Sequence, residues 1–144
     1  MEKVKLVAVF AANKLGQMAK ITKVLADAKI SIHTVIIASS KTFGVIKFLV
    51  DKPEAAYRVF KKNGFTATLN EVLAVEMNDS PGGLYSIAET LAGNEINVEN
   101  ASGFALCRGE KAVLLIEVEN IGRARKKIKK TGLRLLGKKE LRID

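Results

Sequence analysis

The residues best suited to holding a small ligand are Asp79-Ser80-Pro81-Gly82-Gly83-Leu84. Asp79 supplies a carboxylate, which suits an ammonium group. Pro81 has no N–H and presets φ for the first helical position. Gly82 and Gly83 carry no Cβ, so a ligand can approach their backbone closely. If a helix opens here, the N–H groups of Gly82, Gly83 and Leu84 lie in its first turn. Partial positive charge collects there, and a carboxylate or phosphate suits it. Asp79 beside that turn would repel a phosphate and pair with an amine. A free amino acid carries both groups. The plainer reading of the same residues is a well-capped helix start, with Ser80 as the N-cap.

The elements around this turn follow from apolar spacing. Val72–Met77 reads as a strand leading in. Leu84, Ile87 and Leu91 then recur at helical spacing, with Ser86, Glu89 and Thr90 off that face. Gly93 and Asn94 end the helix, because both tolerate a left-handed backbone. Upstream, Lys3–Ala12 reads as a strand and Asn13–Gly16 as a turn. Met18, Ile21, Leu25 and Ala28 form a helical stripe. Ile30–Ser39 and Phe43–Asp51 are strands, and Pro53 opens a helix with Ala56, Val59 and Phe60 inward. Phe65–Leu69 is a short strand just before Val72.

That order then repeats. Gly16, Met18, Ile21, Leu25, Ile30 and Ile32 match Gly82, Leu84, Ile87, Leu91, Ile96 and Val98 at a constant offset. Ala56, Phe60, Gly64 and Phe65 match Ala124, Ile128, Gly132 and Leu133 at an offset two residues longer. The extra residues fall in the second hairpin, around Gly103–Gly109. Each half reads βαββαβ. The expected class is therefore α+β, as two ferredoxin-like repeats over residues 1–70 and 71–144, packed side by side. Right-handed crossovers place the helices of each on one face of an antiparallel sheet. In the third strand Ile46, Phe48 and Val50 alternate with Val45, Lys47 and Leu49, so one set must face the helices. Phe43, Val45 and Leu49 would otherwise form an apolar patch, which predicts a covering partner or sheet.

Composition narrows the function. The chain has 144 residues, 48 % of them hydrophobic, enough for a packed core without disulfides. Cys107 is the one cysteine and His33 the one histidine, so cysteine metal clusters and a Ser-His-Asp triad are poorly supported. No cofactor motif and no catalysis are expected. No run of about 18 apolar residues exists, and no signal-peptide pattern opens the chain, which predicts a cytoplasmic protein without a membrane span. The net charge of +9 raises an anionic partner as a possibility.

Two βαββαβ repeats, one carrying Asp79-Ser80-Pro81-Gly82-Gly83-Leu84 and Glu95-Ile96-Asn97-Val98, resemble a tandem pair of ACT domains, which are amino-acid-binding regulatory modules. The resemblance covers essentially the whole chain. It implies a ligand between modules, where the turn after one module's first strand meets the second strand of its neighbour. It places Asp79, Ser80, Gly82, Gly83 and Leu84 at turn contacts and Asn97 on the facing strand. The matching residues of the first repeat are Asn13 and Gly16 in the turn, and Ser31, His33 and Val35 alternating along the second strand. The first repeat departs from the pattern: its turn has no Pro and a single Gly, and Ser31 stands where Asn97 does. The implied partners are a free amino acid and a separately encoded metabolic enzyme or regulator, with a homodimer expected. His33 also has a plainer reading, as a strand residue satisfied by a local hydrogen bond.

The alternative is an RNA-binding protein with RNA-recognition-motif-like repeats, which share the βαββαβ order. Lys41-Thr42-Phe43-Gly44-Val45-Ile46-Lys47-Phe48 approaches the RNP1 pattern. Phe43 suits base stacking, but Val45 stands where a second ring is needed. Arg123, Arg125, Lys126, Lys127, Lys129 and Lys130 form a basic C-terminal helix able to contact phosphates without reading sequence. A solvated helix face is the favoured reading of those charges. Nucleic acid is the less favoured partner.

Overall fold

The computed structural model describes residues 3–144. The elements are β1 (Val4–Ala12), α1 (Gln17–Asp27), β2 (Ile32–Ser39), β3 (Phe43–Val50), α2 (Pro53–Lys62), β4 (Thr66–Asn78), α3 (Gly83–Gly93), β5 (Asn100–Cys107), β6 (Lys111–Glu117), α4 (Ile121–Lys129) and β7 (Leu135–Leu136). The class is α+β, and β1 with β3, β2 with β3, β4 with β6, β4 with β7 and β5 with β6 all pair antiparallel. The chain divides into two compact units. The first holds Lys5–Asn70 and Arg142–Asp144; the second holds Glu71–Leu141 and the N-terminal piece ending at Val4.

In the first unit the strand order is β2-β3-β1-β4. Val7 pairs with Phe48 and Val9 with Ile46. The side chains of these residues meet Ile21 and Leu25 of α1 and Ala56 and Phe60 of α2 in one core. The set Ile46, Phe48 and Val50 is thus the one facing the helices. The Phe48 and Phe60 rings stack with centroids 6.0 Å apart. On the opposite face, Leu6 and Leu49 are also fully buried, at 1 % and 0 % exposure, whereas Phe43 is 49 % exposed.

The second unit repeats this plan as β7-β4-β6-β5. Leu73, Val75, Leu114 and Ile116 pack on Ile87 and Leu91 of α3 and Ala124 and Ile128 of α4. The repetition extends to single hydrogen bonds. Asn13 N–H donates to Thr42 O as Asp79 N–H donates to Glu110 O; Ile30 N–H donates to Leu25 O as Ile96 N–H donates to Leu91 O. Lys29 and Glu95, at equivalent positions, both have φ of 57°. The helix ends at Gly93 with Asn94 as its C-cap, as expected, but the left-handed backbone falls on Glu95 rather than on either of them.

A second difference concerns the middle of the chain. Phe65–Leu69 and Val72–Met77 are not two strands. They merge into β4, a single strand of 13 residues. No Gly or Pro interrupts Thr66–Asn78, so nothing breaks the extended backbone. No helix among the described residues is long and apolar enough to cross a membrane.

Candidate functional site

The turn between β4 and α3 is built more tightly than its sequence suggests. Gly82, with φ of 86°, is the N-cap of α3, and no side chain caps the helix. Ser80 is therefore not the cap. Its carbonyl accepts from Gly83 N–H at 3.0 Å, and Gly82 O accepts from Ser86 N–H at 3.0 Å. The left-handed φ is why Gly occupies position 82. Gly83 is there for another reason. A Cβ on it would lie 2.1 Å from Asn78 O. The room at Gly83 is filled by the chain itself, not left for a ligand. Gly82 has nothing within 4 Å of its Cβ position and is open. With Gly83 N–H engaged, the turn's remaining donors are the N–H groups of Gly82 and Leu84, which find no backbone acceptor among the described residues.

Asp79 is anchored as well. Its Oδ2 accepts from Gly109 N–H at 2.6 Å. The carboxylate thus ties the turn to the β5–β6 hairpin, leaving Oδ1 as the oxygen available to an ammonium. Asn13, its counterpart, does the same work in the first unit, donating from Nδ2 to Ser40 O at 2.8 Å.

Three charged residues that sequence spacing did not single out join the turn. A cavity of about 410 Å³ is lined by Ser80, Gly82 and Gly83 together with Glu76, Lys111 and Arg134. Glu76 pairs with Lys111 Nζ at 3.3 Å and with Arg134 at 2.8 Å. Lys111 Nζ also donates to Asn78 Oδ1 at 3.1 Å. The repeat offset was the signal that could have found them. Glu76 and Lys111 stand where the first unit has Phe10 and Phe43, whose rings stack with centroids 6.3 Å apart. The duplicated pair is aromatic in one unit and ionic in the other. Two cations and a helix N-terminus beside one acid favour a carboxylate-bearing zwitterion. Leu84 does not line the cavity; its side chain is 55 % exposed.

Asn97 is not brought to this turn by its own unit. It lies beyond the other end of α3, in a groove of about 510 Å³ with Glu95, Glu99, Glu119, Arg123 and Lys127. In the first unit, Asn13 lines a small cavity of about 140 Å³ with Met18, Ile37 and Ile46. Gly16 is the left-handed N-cap of α1, with φ of 82°, and does not line that cavity.

Ser31, His33 and Val35 do not form one alternating row. The β2–β3 register shifts between Ile32 and Thr34. This bulge turns the strand over, so Val35, opposite Phe48, shares the helix face, while alternation from Ile32, opposite Val50, puts Ser31 on the other. Ser31 N–H donates to Asp51 Oδ1 at 3.0 Å. His33 Nε2 lies 3.2 Å from Arg142 O. A carbonyl only accepts, so this contact sets the proton on Nε2.

A family model described as an ACT domain pair matches residues 2–143. Among curated proteins none matches the sequence. Among solved structures, protein BT0572 from Bacteroides thetaiotaomicron is 26 % identical with a TM-score of 0.89, covering 97 % of this chain and 96 % of that one. The regulatory subunit of aspartate kinase from Thermus thermophilus, in a ligand-free form, is 15 % identical with a TM-score of 0.64, covering 90 % and 93 %. A putative C-terminal regulatory domain of aspartate kinase from Porphyromonas gingivalis is 14 % identical with a TM-score of 0.53, covering 90 % and 91 %.

Proposed function

Because the chain belongs to the ACT-domain-pair family, we propose that it is a non-catalytic sensor that binds a free amino acid and acts on a separately encoded enzyme or regulator. The observation that carries this reading is the β4–α3 turn. It offers the N–H groups of Gly82 and Leu84 at a helix start; Gly82, Lys111 and Arg134 line one cavity, and Asp79 and Leu84 are chain neighbours of its lining residues without lining it themselves. The ligand's carboxylate would take the N–H groups and the cations. Its ammonium would take Asp79 Oδ1. The kinship in fold to regulatory subunits of aspartate kinase supports action on another polypeptide.

A thermal-shift screen of the common amino acids tests it. A ligand that binds only the native state raises the melting point by mass action, by about 2.7 kcal/mol of stability at one hundred times Kd. One amino acid, or a small related set, should raise the midpoint, and Arg134→Ala should abolish the shift. A flat screen at millimolar concentrations overturns the proposal. So does turnover of an amino acid that a point change in this chain removes.

A further inference from the structure

The two units close the same corner with bonds of opposite polarity. In the first unit the link is neutral and runs from the turn to the hairpin: Asn13 Nδ2 donates to Ser40 O at 2.8 Å. The β2–β3 hairpin also closes on itself there. Ser40 N–H donates to Phe43 O at 2.7 Å, and Phe43 N–H donates to Ser40 Oγ at 3.2 Å. In the second unit the link is charged and runs the other way, from Gly109 N–H to Asp79 Oδ2 at 2.6 Å.

The reversal goes with a change in the hairpin. The second hairpin carries two more residues than the first, and the β5–β6 register shifts between Ala105 and Cys107. The lengthened end turns at Gly109, whose φ of 81° suits glycine. Packing does not hold this tip. Cys107, Arg108, Gly109 and Glu110 are all exposed, and nothing lies within 4 Å of the Gly109 Cβ position. A hydrogen bond to a carboxylate is roughly twice as strong as one between neutral groups, so the bond to Asp79 is the main restraint on the Gly109 amide.

From this we infer that the link is a regulatory clasp: Asp79 holds the β5–β6 hairpin by Oδ2 and takes a ligand's ammonium by Oδ1, so occupancy of the β4–α3 turn sets how firmly the hairpin tip is held. The inference rests on the amino-acid reading of that turn. Both oxygens belong to one rigid planar group, so an ammonium that fixes Oδ1 also fixes the direction of Oδ2. An unpaired carboxylate rotates away from Gly109 into water more readily than a paired one. Such coupling is reciprocal: ligand binding tightens the clasp, and a tight clasp favours the ligand. The first unit has no such device. Asn13 offers no charge to an ammonium, and Ser40 closes its hairpin without help from the turn.

The test is amide hydrogen exchange, read residue by residue on the isotope-labelled full chain. The probes are the common amino acids, one at a time at millimolar concentration. Each is paired with its N-acetyl derivative, which keeps the carboxylate and side chain but has no ammonium. An amino acid that raises the melting point should slow exchange at Gly109 by about five-fold or more, the lower end of typical coupling. Phe43 N–H, in the first hairpin, should keep its rate. Gly109 exchanges by local opening, so a gain in global stability alone does not slow it. The N-acetyl derivative should give Gly109 no protection. In Asp79→Asn a side-chain oxygen can still accept from Gly109 N–H, so exchange without amino acid should rise less than in Asp79→Ala, while protection by the amino acid should vanish. The clasp is overturned, with the amino-acid site left standing, if the melting point rises and Gly109 exchange does not change. Equal protection by the N-acetyl derivative, or protection retained in Asp79→Asn, overturns it in the same way. A screen in which no amino acid raises the melting point overturns the clasp and the amino-acid site together.

Discussion

Gly82 and Gly83 are adjacent yet answer to different constraints, and their substitutions should separate. At Gly82, with φ of 86°, Gly→Ala places a side chain in a left-handed backbone at a cost of about 1–2 kcal/mol. Gly82→Asn should cost less, since Asn tolerates that region. Gly83→Ala drives a Cβ toward Asn78 O, and overpacking of this kind costs about 1–3 kcal/mol. Denaturant melts should show both losses, and amino-acid affinity should fall further for Gly83→Ala because the turn must open. Asp79→Ala should speed hydrogen exchange at the Gly109 amide, which loses its acceptor. Cys107 is exposed, but its thiol donates to Glu110 at 3.0 Å, and that carboxylate holds the thiol pKa above its usual value. Glu110→Gln should therefore quicken iodoacetamide alkylation at pH 8, since more thiolate forms. The residue types of the turn were legible in sequence. Which glycine takes the positive φ was not, and neither was the Asp79–Gly109 bond, whose partners lie 30 positions apart.

Apolar periodicity carried the elements through, because a core tolerates exchange of one aliphatic residue for another but not loss of the pattern. It could not register the β2 bulge, which depends on pairing with β3, nor the exchange of Phe10–Phe43 for Glu76–Lys111, which leaves no apolar trace. The bulge sets up a testable surface. Among the described residues β2 pairs with β3 alone, and Ile32, Val35 and Ile37 on it are 39 %, 39 % and 53 % exposed. Bare edges of this kind invite further pairing. We propose that the expected homodimer forms through this edge; sedimentation of the unaltered chain should then show a dimer, and Val35→Lys with Ile37→Lys should shift it toward monomer with little change in melting point. A monomer before substitution, or a dimer unchanged by it, would overturn pairing through this edge.

The charge of +9 belongs to the molecule as a whole, and the fold disperses it. Arg125 pairs with Glu71 and Lys127 donates to Asn94 O, which leaves α4 a less concentrated cationic face than its sequence implies, and Arg134 beyond the helix pairs with Glu76. Nucleic acid should bind weakly, lose affinity steeply with salt, and respond to Lys126→Ala rather than Phe43→Ala. Gel shifts across a salt series decide this; sequence-specific binding lost with Phe43→Ala would restore the RNA reading. The grouping of Arg142–Asp144 with Lys5–Asn70 has a consequence for the order of events in synthesis. A ribosome releases the first repeat long before it makes the three residues that hydrogen-bond to His33 and Asp51. The nascent first half must wait, incompletely zipped, while the whole second half is translated. A stalled chain ending near residue 100 should leave the β2–β3 end more open to protease than the finished protein does, and that delay is written into the polypeptide's connectivity alone.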